Sequence, residues 1–395
     1  MMKKPWNVFP SLAALPAALL LAAGCGNGSN TSSASVAELT AMAPTSESMN
    51  LDIGDATGMS ATLPMTSISD DAATLAPGMD ICHPHLFARS AEVVWRLNAV
   101  FFRHLRHVEH LIAKRPTIQA GDSATWTETG SGLEVQRQLV ISRSADGLTY
   151  EVELDLAPTG QTPPVWVKVL SGSITNTKTS TGSDRTADVV LDYDALHSVI
   201  STERLTGKIT IAFERVADSS KPAPGTRRAT TITFAGFSYG STDPRGPRSG
   251  TFTHVGEPGV GGSLSFQDSL VLLCPANPQL AAADVVAKAR WYVATDGTLH
   301  GRADAKATSG QIAAGDSWLG VTCYQGGRAM RPLATTETAY WAMKLEDGAG
   351  ATVAGSAHQA GSAQACDSAF GVVPSQIDKA SDYDFSAPLS FPNQW

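Results

Sequence analysis

The chain has 395 residues, 43% of them hydrophobic and 17% charged, with a net charge of −8. That length holds one large domain or two ordinary ones, and the apolar fraction suffices for a sizeable core. The acidic balance argues against a nucleic-acid partner, which needs a basic surface to displace counterions. No hydrophobic run beyond Cys25 reaches the roughly 18–20 residues that span a bilayer.

The N-terminus carries Lys3 and Lys4, then an apolar run from Leu12 to Leu21, then Ala22, Ala23, Gly24 and Cys25. A basic start and a short apolar segment describe an export signal, too short to cross a membrane. With its terminal cysteine, the segment resembles a bacterial lipoprotein signal over residues 1–25. That family usually has Leu three residues before the cysteine; here Ala22 holds that place and Leu21 lies one further out. The resemblance implies a signal peptide over 1–24, cleavage before Cys25 and lipidation of its sulfur. It therefore implies membrane anchorage without a transmembrane helix, since several acyl chains hold stably where one holds marginally. Gly26, rather than Asp, follows the cysteine. In that family this points to the outer membrane, facing the periplasm or the cell surface.

From Gly26 to Met79 there is no Lys or Arg, and the charges are Glu38, Glu47, Asp52, Asp55, Asp70 and Asp71. Low complexity and one sign of charge predict a disordered acidic linker over 25–79, Cys25 included. A flexible coil of that length spans roughly 40 Å root-mean-square. Residues 80–395 are expected to form a single β-rich globular domain.

The spacing of Leu86, Val93, Val94, Leu97, Phe101, Leu105, Val108 and Ile112 predicts one amphipathic helix from Phe87 to Lys114, ended by Pro116. Arg96, Arg103, Arg106, His107, His110 and Lys114 fall mainly on its other side, which reads as a solvated basic face. The period then changes to two. Tyr150, Val152, Leu154 and Leu156 alternate with Glu151, Glu153 and Asp155; Val165, Val167 and Val169 with Trp166 and Lys168; Ile209, Ile211 and Phe213 with Lys208, Thr210 and Ala212. Leu264, Phe266, Leu270 and Leu272 share one parity, and Leu280–Lys288 reads as a strand. Asp146-Gly147, Asp296-Gly297 and Asp347-Gly348 each separate two such runs, as two-residue type I′ hairpins prefer. Roughly ten to thirteen half-buried antiparallel strands result.

The expected fold is therefore mainly β with one long N-terminal helix. A large antiparallel meander would form a curved sheet or open half-barrel with the helix packed on it. In outline this is similar to the half-barrel lipoprotein carriers of bacterial envelopes, an analogy of architecture alone. A transmembrane barrel is the rival, and Trp395 is an aromatic end of the kind such barrels carry. Pro388 and Pro392 interrupt that tail, however, and lipid would not accept Glu151, Glu153 and Asp155.

Cys82, Cys274, Cys323 and Cys366 form an even set in an exported chain and predict two disulfides. Of the three connectivities, Cys82–Cys274 and Cys323–Cys366 are favoured. No Cys-x-x-Cys is present, so a zinc site is not expected. His83 and His85 beside Cys82, with His104, His107 and His110, could ligate a metal. However, arginines surround the last two, and His83 and His104 lie roughly 30 Å apart along a helix. Gly121-Asp122-Ser123 with Asp194 and His197 resembles pieces of the GDSL hydrolases, but both pieces sit in β-patterned sequence. No Gly-x-Ser-x-Gly elbow exists, and the Gly256–Gly262 run lacks the residues of a phosphate loop.

The reading is an outer-envelope lipoprotein, non-enzymatic and without cofactor or metal. It would bind or carry a lipid, another apolar ligand or a partner through its sheet, with the membrane as its fixed partner. One alternative is an envelope hydrolase using Ser123 or Ser317 with His197, His300 or His358. Another is a structural or surface-interaction protein with a filled core.

Overall fold

The computed structural model describes residues 33–51, 53, 86–130, 132–179, 182–218, 225–240, 247–257, 260–270, 283–308, 312–326 and 338–362. The chain divides into two units at Ser33, and everything below concerns the second.

The alternating pattern folds into an antiparallel meander of 15 strands, each hydrogen-bonded to its neighbours in the chain. They are β1 (Ile118–Ala120), β2 (Ser123–Glu128), β3 (Val135–Arg143), β4 (Thr149–Pro158) and β5 (Val167–Thr179). Next come β6 (Gly182–Asp192), β7 (Thr206–Asp218), β8 (Gly225–Ser238), β9 (Arg248–Glu257) and β10 (Gly261–Leu270). The last five are β11 (Ala283–Val293), β12 (Leu299–Ala307), β13 (Ser317–Gly326), β14 (Thr338–Glu346) and β15 (His358–Gly361). The sheet is not closed; among the described residues β1 and β15 are its edges.

Register carries one apolar face from strand to strand. Ala124 lies opposite Ile141, and Ile141 opposite Val152. The row continues through Gly172, Val189, Ile211, Ile232 and Phe252. Further along, Leu264, Ala289, Ala303, Thr322 and Trp341 form a second such row. These side chains, Gly172 and Thr322 apart, belong to one buried cluster. We call this the inner face.

The expected strand Val165–Val169 begins two residues later than predicted, and Val165 is 65% exposed. A register shift at Leu154/Asp155 places both Val169 and Leu170 among the buried residues, which strict alternation does not foresee. Leu280–Lys288 contains the start of β11.

The hairpin turns fall where expected but are not of the two-residue kind. Ala294 N donates to Thr298 O, closing a three-residue loop, and Gly297 N donates to Ala294 O with Gly297 at φ 87°. Gly147, at φ 72°, plays the same part after Ser144. In each case a hydrogen-bonded turn ends on a left-handed glycine, the longer-loop solution to the same sheet twist. In the third turn the left-handed glycine is Gly350, not Gly348. Asp146, Asp296 and Asp347 fix these turns by accepting backbone N–H bonds.

Among the described residues four helices accompany the sheet: α1 (Val36–Ala41), α2 (Ser46–Met49), α3 (Leu86–Ile112) and α4 (Tyr193–Val199). Of these only α3 is expected from the sequence, within two residues of its predicted ends. Residues 34–53 differ from the expected linker. They are folded, with Leu39, Met42, Met49, Leu51 and Ile53 buried in the same cluster as the inner face. Ser35 caps α1 by accepting from Glu38 N, and Thr45 and Ser48 form a capping box at α2. Low complexity hid five apolar side chains and two caps that suffice to dock a short segment.

Phe87 shows how close the approach of α3 to the inner face is. Its ring occupies the space a side chain on Gly301 would need, and it stacks on Tyr324 at 5.4 Å. Gly301→Ala should therefore cost about 1–3 kcal/mol through overpacking. Gly132→Ala, where a methyl meets open space, should cost far less. Urea unfolding midpoints of the two variants check this.

Candidate functional site

The inner face is the candidate site, and its geometry is set by what lies against it. At its N-terminal end α3 meets β12 and β13: Leu86 N donates to Thr322 Oγ1 at 3.3 Å, beside the Phe87 contact. At its far end the same helix meets β2 and β3. Trp126 Nε1 donates to Lys114 O at 3.1 Å, and Arg137 Nε donates to His107 Nδ1 at 3.1 Å. Glu128 accepts from Arg137 Nη1, His110 Nε2 and Lys114 Nζ at 2.7, 2.8 and 2.5 Å. In between, Tyr193 of α4 donates to Val100 O at 2.9 Å, and its ring stands edge-on to His104. Arg103 Nη1 reaches both oxygens of the buried Glu203 at 2.8 and 2.7 Å.

The expected solvated basic face of α3 is only partly present. His110 is exposed on its pairing with Glu128, but His104 and His107 are 0% and 2% exposed. A one-sided helix was the premise of that expectation; here α3 meets neighbours from β2 round to β13, and little of its circumference is left to water. Desolvation holds His104 down to about 4, partly opposed by the Asp192 carbonyl. Desolvation also holds His107 down to about 3, aided by the charges of Arg106 and Arg137. Both rings are therefore neutral near pH 7. His104 Nδ1 and His107 Nε2 have no partner among the described residues. Glu128 runs the other way: burial raises it, but hydrogen bonds from Lys114 and Arg137 with the His110 charge outweigh that and hold it near 2.

Residues 34–53 line the same face. Ala34 N donates to Asp122 Oδ1 at 2.8 Å. Glu38 Oε1 accepts from Tyr150 OH at 2.5 Å and Arg143 Nη1 at 3.1 Å. Ser46 N and Oγ both donate to Glu109, and Asn98 bonds Leu51 N and O through its side-chain amide. Asp122, singled out in sequence as part of the Gly121-Asp122-Ser123 piece, thus serves to hold this segment.

The serine–histidine pairs weighed for a hydrolase are not joined by any hydrogen bond among the described residues. Ser123 pairs with Ser142 at the start of β2, whereas His197 lies in α4 with Nδ1 on Glu203 O at 2.5 Å. Ser317 opens β13, opposite the far end of β12 from His300; that separation is roughly 25 Å along the strands. No group of three or more His, Cys, Asp or Glu suited to a metal occurs among the described residues. His83 and His85 lie outside them. No helix among the described residues is long and apolar enough to cross a membrane.

Of the cysteines, Cys323 is described: it is buried and disulfide-bonded. It sits with Val321, Tyr340 and Ala342 in a small second core on the opposite side of the sheet. Arg302 and Asp304, on the same side, form a buried two-bond ion pair at 2.8 Å. Cys25, Cys82, Cys274 and Cys366 lie outside the described residues.

In comparisons with known proteins, no family model, no curated protein and no solved structure matches this chain.

The buried histidines have a measurable consequence. Their folded pKa values lie below the ordinary 6.5, so the unfolded chain binds the extra protons. This stability is complete above pH 6.5 and is lost as pH falls toward the folded values near 4 and 3. At about 1.36 kcal/mol per unit, His104 alone contributes on the order of 3 kcal/mol. His104→Phe should flatten the decline in unfolding free energy between pH 6.5 and 4, measured by urea titration at each pH.

Proposed function

We propose that this chain is a lipid-anchored, non-catalytic protein of the cell envelope that holds an apolar ligand or partner against the inner face of its open sheet. The lipoprotein-like signal ending at Cys25 supports the anchor and an outer-membrane location. The observation that carries the binding role is the continuity of the inner face: one apolar surface from β2 to β14, open at both edges. In this reading the sheet curves into a half-barrel and α3 packs within it, because one helix has bonds to β2 and β3 at one end and to β13 at the other. A ligand would share the inner face with α3 and residues 34–53.

A structural role is the second reading, favoured by how completely α1, α3 and the strands fill the described core: Leu39, Phe101, Leu105, Trp126 and Trp318 are all 2% exposed or less. Ligand binding separates the two. If the protein, purified without detergent, binds a fluorescent fatty acid, the carrier reading stands; a protein that binds none is structural.

For the disulfides we keep Cys323–Cys366 and Cys82–Cys274. Cys323 faces away from α3. Tyr340 lies opposite it and Gly361 opposite Tyr340, five residues before Cys366. Cys82 precedes Leu86, which is bonded from the inner side by Thr322.

Two outcomes follow. Cys25→Ser should move the protein from the membrane fraction to the soluble one; unchanged sedimentation with membranes removes the anchor. Non-reducing peptide mapping should recover a Cys323–Cys366 peptide pair, and a Cys82–Cys323 pair would reverse the assignment.

A further inference from the structure

We propose that the sheet stands on the membrane by one rim: the turns at Gly121–Asp122, Ser144–Leu148 and Ala294–Thr298 face the phospholipid surface that holds Cys25, and the opposite rim points away from it. This rests on the anchor reading and adds to it a membrane-facing surface.

In an antiparallel meander the connections fall alternately at the two ends of the strands. Those between β1 and β2, β3 and β4, and β11 and β12 share one end, which we call the near rim. The segments before β5, before β13 and after β14 share the other, the far rim. β4 has ten residues, so the rims lie roughly 33 Å apart along it. Residues 34–53 enter the fold at the near rim. Ala34 is buried, and its N–H donates to Asp122 Oδ1 at 2.8 Å. Asp122 also accepts from Arg143 Nη2 at 2.6 Å, and the Arg143 backbone N–H donates to the Asp122 carbonyl at 2.8 Å. Four residues on from Ala34, Glu38 Oε1 accepts from Tyr150 OH and Arg143 Nη1. Asp122, Arg143 and Tyr150 stand at the near ends of β2, β3 and β4. Three strands therefore clamp the point where the chain arrives from Cys25, and the fully buried Leu39 secures it just beyond.

The chain leading to that point is short against the body. From Cys25 to Ala34 it reaches about 30 Å at full stretch and roughly 17 Å root-mean-square as a flexible coil. Setting the far rim on the bilayer would hold Ala34 roughly 33 Å above it, beyond the reach of the stretched chain. Setting the near rim on it asks for no extension at all. Exposed apolar side chains do not choose between the rims, since Leu148, 45% exposed, is at the near one and Val165, 65% exposed, at the far one. The reach of the chain does.

The test uses the full-length protein, expressed with its signal and reconstituted in vesicles of phosphatidylethanolamine and phosphatidylglycerol. One dye at a time is placed on the body, and energy transfer to a headgroup-labelled lipid is measured, with dye uptake by the unsubstituted chain subtracted. Leu148→Cys and Thr295→Cys mark the near rim, Val165→Cys and Ala349→Cys the far one; all four positions are exposed. Transfer from both near-rim sites should exceed that from both far-rim sites by about twofold or more, given roughly 33 Å between the rims. Inserting about twenty Gly and Ser residues between Asn30 and Thr31 lengthens the coil to roughly 30 Å root-mean-square and should bring the four signals together. Equal transfer from all four sites, or more from the far rim, in a protein that floats with the vesicles overturns the orientation and leaves the anchor standing. A difference that the insertion does not reduce overturns the reach of the chain as its cause. A protein that does not float with the vesicles, its Cys25 unmodified by mass spectrometry, overturns the inference together with the anchor reading beneath it.

Discussion

A sheet with one apolar face is stable only when that face is covered, and this requirement orders the whole molecule. Because side chains alternate with a strict period of two, a slip of one residue on any strand would turn its apolar side chains to the wrong face. Fifteen strands keep the same parity across fourteen pairings, and the departures are confined to local shifts such as Leu154/Asp155 and Phe234/Phe237. The sheet does not remove its edges by closing. Among the described residues it ends instead in strands of three and four residues, β1 and β15, too short to template further pairing.

The contacts that α3 and its end make with β2, β3 and β13 bring polar groups inside, and each is handled differently. Glu203 is 4% exposed, yet it accepts from Arg103 and from the backbone N–H groups of Arg204 and Leu205. Its buried oxygens are thereby satisfied by donors within the protein. His104 and His107 are instead neutral, the outcome expected when desolvation exceeds what nearby carbonyls return. At the helix end Glu128 gathers the cations of Lys114 and Arg137 and the ring of His110 in a partly exposed setting, where pairing wins.

Most of the sheet was legible in sequence because alternation is a local signal. Tyr150 to Leu156 and Ile209 to Phe213 are buried as their spacing implies, and the stripe of α3 likewise. What escaped was whatever depends on distant partners. α4 is seven residues between two strands, marked by Asp192, whose side chain accepts from Ala195 N; nothing in its apolar spacing exceeds strand background. α1 and α2 sit in Ser-, Thr- and Ala-rich sequence, and only the arrival of Arg143, Asn98 and Glu109 from elsewhere makes them structure. The burial of His107 follows from Arg137 crossing over from β3.

If Cys25 is lipidated as proposed, the docking of residues 34–53 also limits how far the body can stray from that lipid. Nine peptide steps separate Cys25 from Ala34, and even fully stretched they cover only about 30 Å. A lipidated Cys25 would thus moor the sheet within roughly one helix length of the bilayer, where the concentration of acyl chains is highest and that of dissolved competitors lowest. An apolar surface in such a berth would exchange its contents with the membrane beneath it far more readily than with a distant one.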